Sequence, residues 1–146
     1  MISYGDRLEM LRRAHEAKRS LGSMAEEYYI EVIYELDKNL GYVRLVDIAG
    51  ILGVKASSVA EMLRRLERKG LIVYERYKSI RLTREGLRIA ERISRRHEAL
   101  MEILVSAGVD PETANIEAEM LEHFLSEETI EKLKRAFSMC RKGGKR

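Results

Sequence analysis

The 146-residue sequence holds one cysteine, Cys140, one proline, Pro111, two phenylalanines and no tryptophan. A lone cysteine excludes an internal disulfide framework, a zinc ribbon and a CxxC redox pair. No apolar run approaches the ~18 residues of a membrane span, and the first residues, with Asp6, Arg7 and Glu9, lack the hydrophobic stretch of a secretory signal. A cytoplasmic chain with no membrane partner is expected. HExxH is missing, as are a glycine-rich phosphate loop and a Ser/His/Asp pattern, so nothing argues for an enzyme. With 45% hydrophobic and 35% charged residues the chain is too apolar for disorder, and the scarcity of proline points to helices.

The formal net charge of +3 conceals blocks of opposite sign. Residues 44–90 carry 11 basic and 5 acidic side chains, whereas 97–131 carry 10 acids and no Lys or Arg. A basic middle followed by an acidic block with two of the three histidines suggests one task toward a polyanion and another toward a cation.

Leu8, Leu11, Ala14, His15 and Lys18 recur at helical intervals, predicting an extra helix over about 5–20, stopped by Gly22. Ser23 and Glu26 have capping-box spacing before a helix whose expected core face is Ala25, Tyr29, Ile33, Leu36 and Leu40. A short helix over 45–52, a turn at Gly53 to Lys55 and a helix from Ser57 to Lys69 follow, with Ser58 and Glu61 spaced as a second capping box. Two strand-like runs, 71–74 and 80–83, flank polar residues 75–79 and read as a β-hairpin. Helix, turn, helix and hairpin form a winged helix-turn-helix. Thr83 is positioned to cap a long helix to about Ala107, Asp110-Pro111 opens one through about Leu125, and Ser126 caps a last helix to about Phe137. The expected fold is mainly α, with an extra helix in 1–22, a winged DNA-binding domain in 23–83, a second, helical domain in 84–138 and a basic, frayed tail in 139–146.

In such a fold the second helix enters the major groove and flanking cations hold phosphates. Candidate DNA contacts are Arg44, Lys55, Ser57, Ser58, Glu61, Arg64 and Arg65, with Arg76, Tyr77 and Lys78 at the wing tip. In the acidic half, Glu119, Glu122 and His123 lie within one helical turn, where the glutamates repel one another. A divalent ion would relieve that repulsion; a plain solvated face is the other reading. A dimetal enzyme would need an E-x-x-H pair on each of two helices, and the chain offers one Glu-x-x-Glu-His run.

The strings Glu27-Tyr28-Tyr29-Ile30-Glu31, Val46-Asp47-Ile48-Ala49, Ser57-Ser58-Val59, Leu82-Thr83-Arg84-Glu85-Gly86, Arg96-His97-Glu98 and Glu119 to Ser126 together resemble the DtxR/MntR family of metal-responsive transcriptional repressors. The likeness runs from about Met24 to Phe137 and is to the shorter, manganese-type members without an SH3-like domain. It implies a homodimer that binds double-stranded operator DNA when metal is present, with 84–138 as the metal-binding and dimerisation domain. It also implies Glu31, His97, Glu119, Glu122 and His123 as ligands. Tyr28 stands where manganese-type members carry an aspartate, and a phenol with a pKa of ~10 is a poor ligand near neutral pH. One metal per subunit is therefore favoured; Glu27 and Glu35, one helical turn either side of Glu31, are the candidates to replace the missing carboxylate and so admit a second ion. Hard oxygens with imidazole favour Mn(II), with Fe(II), Co(II) and Zn(II) as other occupants. Met101 and Asn115 replace the ancillary-site ligands of iron-type members. Leu100, Ile103, Leu104, Ile116, Leu121 and Phe124 are candidates for the dimer face. The rival reading is a winged-helix regulator that ignores metal or answers another ligand.

Overall fold

A computed structural model describes residues 4–20 and 24–143. Helix α1 (Tyr4–Ser20) is followed by α2 (Met24–Leu40), α3 (Leu45–Leu52), α4 (Ala56–Arg68), strands β1 (Ile72–Val73) and β2 (Arg81–Leu82), and helices α5 (Arg84–Ser106), α6 (Pro111–Leu121) and α7 (Glu127–Gly143). This is the mainly helical winged helix-turn-helix architecture, with a helical second half. The expected stop at Gly22 and cap at Ser23 lie outside the described residues. The side chains described in α1 are all exposed, Leu8 and Leu11 included.

The wing is shorter than the strand-like runs: β1 and β2 pair antiparallel only at Ile72 with Leu82 and Val73 with Arg81. Ile80 N–H donates to the Val43 carbonyl (2.9 Å), and Val43 N–H to Ser79 Oγ (2.9 Å), so the segment before α3 completes the hairpin. Thr83 closes the wing and starts α5 at once. Its Oγ1 donates to the Gly70 carbonyl (2.6 Å) and accepts from Gly86 N–H (3.2 Å). Gly86 is needed there because a Cβ would lie 2.1 Å from the Leu71 carbonyl oxygen. Asp110 and Ser126 also cap as expected, accepting from Thr113 N–H (3.0 Å) and Thr129 N–H (3.1 Å).

Four expectations need correction. The buried stripe of α2 is Glu26, Tyr29, Ile30 and Ile33, while Ala25 and Leu40 face outward, because the helix is rotated so that a glutamate enters the interior. The second capping box does not form: α4 begins at Ala56 behind Lys55, without a side-chain cap. Helix α6 ends at Leu121, and Glu122 and His123 lie in the turn that reverses the chain into α7. The last helix runs past Phe137 to Gly143, so Cys140 belongs to it.

Two apolar clusters result. Tyr29, Ile30, Ile33, Val43, Ile48, Val59, Leu63, Leu66, Leu71, Ile72, Ile80 and Ala90 form the winged core, and Ala99, Leu100, Ala118 and Ile130 a smaller helical one. Of the apolar residues expected at a dimer face, Leu100 and Ile103 are instead subunit interior, whereas Ile116 and Phe124 are exposed. Met120, one helical turn from Ile116 on α6, is exposed as well.

Candidate metal centre and DNA-reading surface

Three elements converge on one buried cluster. Helix α2 supplies Glu27 and Glu31, α5 supplies Arg96 and His97, and α6 with its following turn supplies Glu119, Glu122 and His123. One donor atom each from Glu31, Glu119, Glu122 and His123 lies within 4.8 Å of the others, a spacing that suits a single ion. His97 adjoins this set, its Nδ1 2.9 Å from Glu122 Oε2 and 3.3 Å from Glu119 Oε1.

Both imidazoles are held from behind. His123 Nδ1 donates to Glu27 Oε2 (2.8 Å), which turns Nε2 toward Glu31 Oε2 (3.6 Å) and Glu122 Oε1 (3.4 Å). Arg96 donates to the same Glu27 oxygen (3.0 Å). His97 Nε2 donates to Asn115 Oδ1 (2.8 Å), and in that tautomer the Nδ1 lone pair faces Glu119 and Glu122. Asn115 is thus the orienter of His97, a role that the sequence did not reveal.

Tyr28 does not supply a donor to the set. Its ring packs on that of His123, centroids 4.2 Å apart, and burial together with the charges of Glu31, Glu119 and Glu122 raises its phenol further above 10. Glu27 is committed to His123 and Arg96. Glu35 lies along the groove between α2 and α3, its Oε2 accepting from Asn39 (3.3 Å). Neither glutamate is among the four converging donors.

The cluster's electrostatics are those of a site suited to a cation. Burial, with Glu31 and Glu119 beside it, pushes the fully buried Glu122 carboxyl up to about 10. Burial acts to lower His123, but hydrogen bonds to Glu27 and Glu31 outweigh it and raise the imidazole to about 9. Among the described residues, the buried side-chain polar atoms without a hydrogen-bond partner are Arg96 Nε, Glu122 Oε1 and His123 Nε2, all of them here. Two of these are donor atoms aimed into the same space, so the residues present fit a divalent ion.

The DNA-reading candidates lie on α3, α4 and the wing. Ser57, Glu61 and Arg64 share the outer face of α4, opposite buried Val59, Leu63 and Leu66, with Ser58 exposed on its flank and Lys55 ahead of the first turn. Arg68 lies on the same outer face, one turn beyond Arg64, and was missed for want of a motif. Arg65 is engaged within the fold: its Nε lies 2.7 Å from Glu26 Oε1, on the flank facing α2, where the buried glutamate needs a cation. Arg44 pairs with Asp47 through two 2.9 Å bonds. At the wing tip Tyr77 is 87% exposed at φ 66°, the Arg76 guanidinium lies over its ring at 5.1 Å, and Lys78 pairs with Glu75.

Two family models match these halves in order. The model described as iron dependent repressor, N-terminal DNA binding domain covers residues 21–80. The model for the iron dependent repressor metal binding and dimerisation domain covers 83–142. The chain belongs to the iron dependent repressor family. Within it, the chain is 41% identical over 107 residues to the HTH-type transcriptional regulator MntR of Lysinibacillus sphaericus, a match covering 73% of this chain and 77% of that one. It is 36% identical over 131 residues to the transcriptional regulator MntR of Escherichia coli, covering 90% and 83%. Among solved structures, IdeR of T. acidophilum superposes with a TM-score of 0.67 at 35% identity, and a manganese-dependent transcriptional repressor in complex with manganese with 0.69 at 29%. Each of these two matches covers 77% of this chain, and the chain spans about half the length of those solved proteins. In this family member the donor set crosses the boundary between the two matched regions: Glu31 lies in the first, His97 and residues 119–123 in the second. Helix α1 lies outside both.

Proposed function

We propose that the chain is a metal-activated, DNA-binding transcriptional repressor, acting in the cytoplasm as a homodimer on an operator with two half-sites and controlling genes of metal uptake or homeostasis. The observation that carries the reading is the convergence of Glu31 from the winged half with Glu119, Glu122 and His123 from the other, with two buried donor atoms unpartnered. Mn(II) is the proposed ion, one per subunit, because the donors are carboxylate oxygen and imidazole and the Tyr28 phenol stays neutral. Relatives named as manganese regulators support the choice. Family membership speaks for a regulator rather than an enzyme, and no helix of the described residues is long and apolar enough to cross a membrane.

When bound, the ion supplies positive charge shared by ligands of both halves. The chain's own residues do the rest. Glu27 and Asn115 hold the imidazoles in orientation, and Glu122 and His123 release their protons as the site is loaded. Glu31 is thereby fixed relative to 119–123, which restricts how the winged half sits against the dimer. Two recognition helices must match half-sites about one DNA turn apart, so whatever favours the matched arrangement raises operator affinity. Ile116, Met120 and Phe124 form the proposed dimer stripe.

The test is to strip the protein with chelator, titrate Mn(II) while counting free ion by EPR, and follow operator binding by fluorescence anisotropy. One tight ion per subunit that strengthens DNA binding, both lost in Glu122→Ala, is expected. DNA binding that ignores Mn(II), Co(II) and Zn(II) alike would leave a regulator of another kind.

A further inference from the structure

Glu26 and Glu27 are neighbours on α2, yet they engage opposite halves of the chain. Glu27 holds His123 and Arg96, as described. Glu26 is 5% exposed and turns to α4, where Oε1 lies 2.7 Å from Arg65 Nε and both oxygens accept from Lys69 Nζ, at 2.8 and 2.9 Å. Arg65 and Lys69, four residues apart, occupy the α4 flank that meets α2, while Ser57, Glu61, Arg64 and Arg68 point away from it.

This pairing does something that apolar packing does not. Leucine and isoleucine contacts tolerate small slides and rotations of one helix on another. A carboxylate withdrawn from water is tolerated only while its cations stay within reach, so the three charges fix the register of α4 against α2. Glu26 lies five residues before Glu31, about 7.5 Å along one continuous helix. Any displacement of α2 imposed at Glu31 is therefore delivered to the recognition helix at Arg65 and Lys69.

We infer that Glu26 is the positioning residue through which metal occupancy at Glu31 reaches the recognition helix, by way of Arg65 and Lys69. The inference rests on the metal-activated reading above. It assigns Arg65 and Lys69 to signal transfer rather than to DNA contact, and it places the coupling in one helix and three side chains.

The experiment measures operator affinity with and without saturating Mn(II), and Mn(II) affinity without DNA, for the wild type, Glu26→Gln and the double variant Arg65→Gln with Lys69→Gln. Glutamine keeps the shape of Glu26, and the double variant changes only half-exposed positions, so one informs if the other fails to fold. Expected is a drop of about tenfold in the ratio of the two operator affinities, equivalent to about 1.4 kcal/mol, with Mn(II) affinity in the absence of DNA within twofold of wild type. By linkage, operator DNA should tighten Mn(II) binding less in the variants by the same factor, a readout that a purely structural role would not move. Combining all three substitutions should add no further loss, since they break one interaction. An unchanged ratio in variants of a metal-responsive wild type would overturn this inference alone. Mn(II) affinity that falls in parallel without DNA would also overturn it, placing Glu26 in service of the metal site itself. A wild type without metal response would remove the functional reading and this inference together.

Discussion

The winged half and the helical half of this chain are held together by different means. The winged core is a continuous apolar cluster of twelve buried residues contributed by α2, α3, α4, the hairpin and α5. The helical cluster has four, and beside it are the fully buried Glu122, the almost fully buried His123 and the three buried polar atoms that lack partners. Burial of apolar surface makes a structure indifferent to small ions. Burial of opposed carboxylates makes it dependent on whatever neutralises them. The division suits a regulator: the part that reads DNA keeps its shape, and the part that senses the cation gathers carboxylates that a cation would stabilise.

The largest effect that would test this contrast comes from the winged core. Leu63→Ala removes a fully buried side chain between α4 and its neighbours and should cost about 2–5 kcal/mol. Chemical denaturation followed by circular dichroism measures it, with and without Mn(II). The same loss is expected in both conditions, because the cavity lies away from the donor set. A cost that Mn(II) reduces would mean that the two halves are not stabilised independently.

The helical half should show the reverse pattern. At a hundredfold excess over its dissociation constant Mn(II) should stabilise the protein by about 2.7 kcal/mol. Glu122→Gln should abolish that increment while changing the metal-free protein by less than about 1 kcal/mol. The reason is that Glu122, pushed up to about 10, already carries a proton at neutral pH, and glutamine resembles the protonated acid. A large loss in the metal-free variant would show Glu122 to be ionised there and held by Arg96 and His123.

Much of this was legible in the sequence, for physical reasons that also explain the failures. Thr83, Asp110 and Ser126 were readable because an N-cap is a local arrangement between one side chain and an N–H three residues on. Glu119, Glu122 and His123 stood out because acids without nearby cations are conspicuous in one dimension. What pairs across the fold was not legible. Glu26 has perfect local spacing for a capping box, yet its partners are 39 and 43 residues away, and their attraction rotates α2 so that Ala25 faces outward. The pairing of Arg65 with Glu26 was hidden for the same reason. The roles of Glu27 and Asn115 behind the two histidines required three helices to be in place.

The protons in the helical half carry a pH signature of their own. Folding raises Glu122 from 4.5 to about 10 and His123 from 6.5 to about 9. A group raised on folding contributes stability that is fully present below its unfolded value and is lost as pH rises through its folded value. The metal-free protein should therefore lose stability through Glu122 from about pH 4.5 to 10 and through His123 from about 6.5 to 9, most steeply where the two windows overlap. Glu27 and Glu31, both lowered, act only in the acid range below this window. Metal affinity should rise across the same interval, since loading expels those protons. Thermal midpoints at pH 6.5 and 8.5, under anaerobic conditions, should fall for the chelated protein and hold or rise for the Mn(II)-saturated one. Parallel curves would mean that the cluster is not where the protons reside.

The smallest effect separates two arginines on the same helix. Arg68 lies on the outer face of α4 with Arg64, free to meet a phosphate, whereas Arg65 on the flank is held by Glu26. Removing one cation that neutralises a DNA phosphate makes the slope of log affinity against log salt concentration shallower by about 0.9. Arg68→Ala should show that decrease at saturating Mn(II), with stability unchanged within about 0.5 kcal/mol, as for an exposed side chain. Arg65→Ala should leave the slope as it is and weaken the metal response instead. Operator titrations by anisotropy between 50 and 200 mM salt distinguish the two, and equal slopes for both variants would place Arg65 on the DNA after all. The two outcomes would assign the faces of a single helix, exposed charge to the nucleic acid and charge tied to a buried glutamate to the fold that positions it.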